Sequence, residues 1–410
     1  MRSQAAFDVA IGGGGSVGLA LACALADALG AGARIALVDR GALSATAGGD
    51  LRASALSAAS KRLLTTLGVW PALAHAAQPV TAIDITDSRL TDAIRPVLLS
   101  YDNTLAAEEP ASYIVENERL RPALLAAAAA RPAIALMGSS PILSFVVDAH
   151  GVDVSLPDAS LRAALLVGAD GRASRLREAA GIKILRWSYP QTGIVTTVGH
   201  SQPHHGRALQ HFLPSGPFAI LPLTGDRSCI TWSEASATAQ ELLALEAAQF
   251  RAELARRFDY RLGEIVAVGA RAAWPLEMHL ARALVSDRFA LVGDAARVVH
   301  PIAGQGLNLG LRDVAALTEV IADAARLGLD TGSQLVLARY ERWRRLDSAL
   351  SAASYDALNR LFSNDWTLLR TARDFGLAVL DQFPALKQVL VAEAAGVTGE
   401  VPKLLRGERA

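Results

Sequence analysis

The stretch DVAIGGGGSVGLALACALADALG, residues 8–30, places Gly13, Gly15 and Gly18 at the first, third and sixth positions of a spacing that suits phosphate. In that spacing one glycine makes a tight turn, one lets the backbone approach a pyrophosphate, and one lets a helix lie close to a strand. A register starting at Gly12 fails, because Val17 would then stand where the third glycine is needed. Gly12 is left over at a strand end, and nothing in the sequence accounts for it. The run RIALVDR ends in Asp39, 21 residues after Gly18, the distance at which an acidic residue accepts hydrogen bonds from a ribose. The competing reading is a glycine-rich turn with no ligand.

Two further groups share the same design of an apolar run, an acidic residue and a glycine turn. In LLVGADGRASRLRE, residues 164–168 run into Asp170 and Gly171, followed by Ser174 and Arg177. Asp170 either bonds a ligand hydroxyl or fixes its own turn, and Arg177 serves the site or is a surface cation of a helix. In FALVGDAARVVHPIAGQGLNLGLRD, Gly293–Asp294 ends a strand, and Pro301, Gly304, Gly306 and Gly310 shape a loop that opens a helix. Asp294 suits a ribityl hydroxyl, and the N–H groups from Gly304 to Asn308, including Leu307, suit an electron-rich ring. A nicotinamide enzyme has no need of this third group, whereas an extended flavin does.

These residues require parallel strands with helices between them. FDVAI and RIALVDR read as buried strands, and the Ala/Leu-rich run between them reads as a helix. The Gly/Ala/Ser-rich stretch after Asp39 reads as loop, and SALSAASKRLLTTLGVW, residues 54–70, as helix. Residues 115–132 form a helix stopped at Pro132, residues 186–235 an antiparallel sheet, and the chain beyond about 335 is helical. The fold class is α/β: a Rossmann-like nucleotide-binding domain interrupted by a sheet-rich domain, with a helical C-terminal tail.

The 410 residues carry forty basic and forty acidic side chains, so no basic excess points to nucleic acid. Two cysteines exclude a disulfide framework, and Cys23 falls in the core of the first helix. No secretory leader and no charge-free apolar run of spanning length is evident, which implies a cytoplasmic protein.

The three groups together resemble those of the class A FAD-dependent aromatic monooxygenases. HPIAGQGLNLGLRDVAAL, DLRASALSAAS, YIVENERL, GPFAILPL and the tail AAGVTGEVPKLLRG are similar to the ubiquinone-biosynthesis hydroxylase family within that class. The resemblance implies an FAD-binding domain made of residues 1–80, 111–185 and 280–335. It implies a substrate domain of residues 81–110 and 186–279, and a helical region from 336 to 410. Gly13, Gly15 and Gly18 would line the pyrophosphate, Asp39 would hold the adenosine ribose, and Arg52 would reach the phosphate region. Asp170 would belong to the motif that serves FAD and NAD(P)H. Gly293 and Asp294 would hold the ribityl chain, and Pro301, Gly304, Gly306, Leu307 and Asn308 would sit beside the isoalloxazine. Two departures stand out: Gly12, where the family has valine, and Gln210–His211, where acidic and basic residues are common.

The implied reaction is hydroxylation of the ring of a polyprenylated phenol. NAD(P)H reduces the flavin and O2 adds to it as a C4a-hydroperoxide. The rival readings are a hydroxylase of a small soluble aromatic acid and a non-catalytic FAD-binding assembly protein. A carboxylate substrate would want a buried cation, and the strands IVTTV and FAILPL offer none. As catalytic candidates, His300 and Pro301 adjoin the cofactor loop; His300 is a proton relay or, more commonly at such a place, a packing residue. His200, His204, His205 and His211 fit no zinc spacing, so no metal is expected. Trp187, Tyr189, Phe212, Phe218 and Trp232 are sheet core, some of them lining a cavity. The tail around Asp365 and Trp366, with Leu361, Phe362, Leu368, Leu369, Phe375 and Leu380, is a packing face or the mouth for a prenyl chain. That face is expected to dock other ubiquinone-pathway proteins rather than lipid, with peripheral contact at the inner membrane as the alternative.

Overall fold

The computed structural model describes residues 5–44, 50–92 and 95–410; part of the expected loop, residues 45–49, lies outside them. Four parallel strands set the geometry that matters. Ala5–Gly12 lies between Ile35–Val38 and Ser160–Gly168, and Phe289–Leu291 lies beyond Ser160–Gly168. Their register aligns Gly12 with Val38 and with Gly168, and Gly168 with Leu291. The turns carrying Gly13, Asp39, Asp170 and Asp294 therefore leave one edge of one sheet, at the carboxyl ends where α/β sheets bind ligands.

Continuous apolar runs form these strands because both faces are covered. Val9, Ile11, Ile35, Leu37, Leu165, Leu166 and Phe289 are fully buried. The Ser16–Leu29 helix packs on this sheet and against the Gly306–Arg326 helix. Gly310 and Gly293 allow that approach, since a Cβ at Gly310 would lie 2.7 Å from Val17 Cγ2.

A second sheet of nine strands is largely antiparallel. It runs from Arg297–Val298 through Ala272–Ala281, Ile184–His200, Arg227–Ala235, Gly216–Leu223 and Arg207–Leu213 to Ala82–Asp87 and Leu99–Asp102, with Ile265–Val268 pairing at one side. Its first strand comes from the third glycine group, so that loop touches both sheets. A three-stranded sheet of Ala53–Ser57, Ser112–Glu116 and Gln78–Val80 bridges them. The stretch expected as helix from residue 54 is thus a strand up to Ser57 and a helix only over Ala58–Thr66. Ser57 decides the switch: its backbone pairs with Ser112, and its side chain caps the helix by accepting from Ser60 N at 3.2 Å.

Gly12 also finds its account here. A Cβ at that position would lie 2.3 Å from Leu176 Cδ1. The leucine of the Arg175–Ala179 helix fills the space a valine would need.

Candidate active site

One cavity of about 1060 Å³ runs from the first glycine turn to the interior of the second sheet. Gly15, Ser16, Arg52, Asp294, Gly304 and Gly306 line one half, and Ile83, Ile85, Ala208, Phe212, Ala219 and Leu221 line the other.

The glycines divide by role. Gly13 has φ +121° and a Cβ there would lie 2.2 Å from Ala169 O; a Cβ at Gly18 would lie 1.9 Å from Gly13 O. Both positions require glycine for the fold. Gly15 and Gly306 have nothing within 4 Å in that direction, and each faces the cavity at the start of a helix. Neither helix has a side-chain cap, so first-turn N–H groups and the positive ends of two helices are presented to one elongated space. Asp294 accepts no hydrogen bond from a described residue; its side chain is open only through the cavity it lines. Enclosure by protein raises its carboxyl above the usual range, while Arg52, Arg297, Arg172 and His279 pull the other way.

These features suit a long, anionic, two-ended ligand, and the comparisons agree. Residues 6–350 match the FAD binding domain family model. The ubiquinone hydroxylase UbiL of Rhodospirillum rubrum is 45% identical over 98% of this chain and 92% of its own length. The 3-demethoxyubiquinol 3-hydroxylase of Escherichia coli is 34% identical over 95% of this chain and 98% of its own. The chain belongs to the ubiquinone-biosynthesis hydroxylase family of FAD-dependent monooxygenases. The fold agrees with solved structures such as p-nitrophenol 4-monooxygenase from Pseudomonas putida, with a TM-score of 0.79, 19% identity, and coverage of 97% of this chain and all of that one.

FAD fits the hydroxylase as it stands. Gly15 leaves backbone open for the pyrophosphate, and the free carboxylate of Asp294 suits the ribityl hydroxyls. The Gly306 helix start, with Pro301, Gly304 and Leu307 on the cavity wall, suits the ring.

Several expected ligands of the cofactor are engaged elsewhere. Asp39 accepts from Gly14 N at 2.5 Å and Gly41 N at 2.6 Å, so its carboxylate braces the glycine turn. Lone pairs remain for a ribose. Asp170 accepts from Ser174 Oγ at 2.5 Å and Leu176 N at 3.2 Å; it fixes its own turn and does not line the cavity. Asn308 spends all of its side chain on the protein: it accepts from Ser57 N and Ser60 Oγ and donates to Ala55 O and Gln305 Oε1. Its side chain holds the loop in place. Arg52 is held bidentate by Asp50 at 2.7 Å and lies 5.6 Å over Trp274, a place that couples it to Asp294. Arg177 is no surface cation: it is buried and donates to Ala295 O at 3.0 Å, tying the second acidic turn to the third.

His300 corrects the relay reading. Only Pro301 of the pair lines the cavity; His300 is 1% exposed, edge-on to Tyr189 at 5.1 Å, and neither ring nitrogen has a partner among the described residues. Burial pushes its pKa down to about 4, against the pull of Asp356, so the ring is neutral packing at physiological pH. Of the other histidines, His200 and His204 bond backbone carbonyls and Ser228, and His211 bonds Thr86 Oγ1 at 2.8 Å.

Two residues, Arg121 and Asp313, escaped the sequence reading, and Gln210 entered it only as a departure from the family. Arg121 reaches Gly14 O and Ser44 O beside the glycine turn. Gln210 lines the apolar half with an amide nitrogen that has no partner among the described residues. Asp313, fully buried, accepts from Gly293 N, from both terminal nitrogens of Arg297 and from Arg344 Nε, clamping the third loop to two helices. Only Asp313 left a local signal: one acid on an otherwise apolar helix face.

Proposed function

We propose that this monooxygenase hydroxylates the aromatic ring of a polyprenylated phenol in ubiquinone biosynthesis, as the names of its relatives suggest. The carrying observation is the division of the cavity. Every charged residue on its wall (Asp50, Arg52, Glu118, Arg121, Arg172, Glu277 and Asp294) comes from outside the strands that make the apolar half. Those strands present Ile83, Ile85, Ala208, Ala219 and Leu221, a surface for a greasy ring and its tail. A small carboxylate would find no cation there, which disfavours the soluble-acid reading. A purely structural FAD protein would have no use for the space.

Bound FAD supplies the oxygen-activating chemistry, with NAD(P)H as the proposed electron source and O2 as co-substrate. The chain's own residues do the rest. First-turn N–H groups at Gly306 and Leu307 offer the positive end of a helix to negative charge on the ring system. Apolar walls exclude water from the reacting centre. Gln210 and Tyr101 bring polar groups to the apolar half, and Tyr101, whose pKa burial raises to about 12, stays protonated. Association with other enzymes of the pathway is part of the proposal, because the product is the next enzyme's substrate.

Metabolite analysis of a deletion strain tests the reading. Loss of this chain should leave a quinone precursor lacking one ring hydroxyl; an unchanged quinone pool would reject it.

A further inference from the structure

The Thr367–Asp381 and Pro384–Ala394 helices carry their side chains inside out. From Trp366 to Leu390, every exposed residue but Asp381 is uncharged. Leu368 is 86% exposed, Phe375 71%, Val389 60% and Phe383 55%. Most charged residues of the same stretch turn inward; the Asp381 side chain stays 37% exposed, and exposed Asp365 and Glu393 mark the two ends. Arg373 donates to Asp87 Oδ2 at 2.8 Å, Arg370 to Asp92 at 2.9 Å, and Lys387 to Ser100 O at 2.9 Å. Asp381 accepts from Ser100 N at 3.2 Å, and Asp374 lies 3.9 Å from Arg370.

We infer that this face seats the enzyme in the interfacial layer of a lipid bilayer, without help from anionic headgroups. Two observations favour lipid over a protein partner. By length and composition the two helices together meet the requirement for crossing a membrane, yet they meet at 99°, and no single helix among the described residues is long and apolar enough to cross. Ion pairs to the second sheet hold their inner side, so the pair lies along the interface and does not cross it. The face is also continuous with the cavity: Leu377, Leu380 and Leu390 of the same helices line it. The sequence reading, which gave this face to partner proteins, lacked the inward turn of the charges.

The membrane surface stands on these observations alone; delivery of a tailed phenol through it rests on the function proposed above. Flotation of the full-length holoprotein with neutral phosphatidylcholine vesicles, at low and high salt, tests it. The protein should float at both, and Phe375→Glu and Phe383→Glu should each weaken partitioning by roughly tenfold or more. The variants should keep bound FAD and turnover of a water-soluble short-chain phenol, since neither side chain lines the cavity. Absence of flotation, flotation that needs anionic lipid and is released by salt, or glutamate variants that float like wild type would each overturn the inference. So would a dimer that the variants split while vesicle binding is unchanged. Failure to hydroxylate the phenol with flotation intact would reject the proposed function and leave the membrane surface standing.

Discussion

At the scale of single residues, glycines of one motif do different work. Gly13→Ala forces a Cβ into the Ala169 carbonyl at a φ that costs at least ~1–2 kcal/mol, so it should lower the melting temperature with or without FAD. Gly15→Val adds its side chain to open cavity. The expected result is a folded, colourless protein, read from the visible spectrum and a melting curve. Asp294 makes a two-way prediction. Its folded carboxyl is held above its usual range, so its ionisation opposes the fold of the FAD-free protein, at a cost that sets in as pH rises from the ordinary value. Asp294→Ala should raise the melting temperature of the FAD-free protein at neutral pH and weaken FAD roughly tenfold. His300→Phe should leave the pH profile of turnover unchanged and stability equal or higher, because two unpartnered ring nitrogens are removed from a dry site; a shifted profile would restore the relay.

The next scale is the element, where Asp313 is the test. It joins the Gly306–Arg326 helix to the third loop through Gly293 and Arg297, and to the Gln334–Phe362 helix through Arg344. Burial pushes its carboxyl up, but the two guanidinium groups outweigh burial and hold it below the usual range. A depressed folded pKa means that its contribution is fully present above about pH 3.8, the ordinary value, and is lost as pH falls below it. Asp313→Ala strands two buried cations and should cost about 3–5 kcal/mol, measured by denaturant unfolding at neutral pH; the gap to wild type should narrow under acid. The elements that were legible in sequence share local causes. The Gly13 turn, the strand into Asp39 and the strand into Asp294 each follow from residues a few positions apart. What was not legible depends on distant partners. Strand Ala53–Ser57 looks helical until Ser112–Glu116 pairs with it, and the hold of the Asn308 side chain on Ser57 and Ser60 comes from residues 251 and 248 positions away. Asp170 had two readings in sequence, and only the Ser174 and Leu176 bonds choose between them.

For the whole molecule, the parallel sheet supplies an edge for the cofactor, the antiparallel sheet supplies an apolar chamber, and the third loop belongs to both. Its strand Arg297–Val298 pairs with Ala272–Ala281 of the second sheet, while Asp294 and Gly306 face the cavity. Under the proposed function, that arrangement puts polar cofactor chemistry at one end of the cavity and a tailed, uncharged ring at the other. The most direct test is a single turnover with the flavin reduced beforehand, so that the electron donor drops out of the question. The reduced holoprotein is mixed with isotopically labelled O2 and either a short-chain prenylated phenol or an unprenylated hydroxybenzoate, and the products are weighed by mass spectrometry. The account predicts one labelled oxygen on the ring of the prenylated phenol and little or none on the hydroxybenzoate. Label on the hydroxybenzoate alone, or on neither ring while the flavin reoxidises, would contradict it.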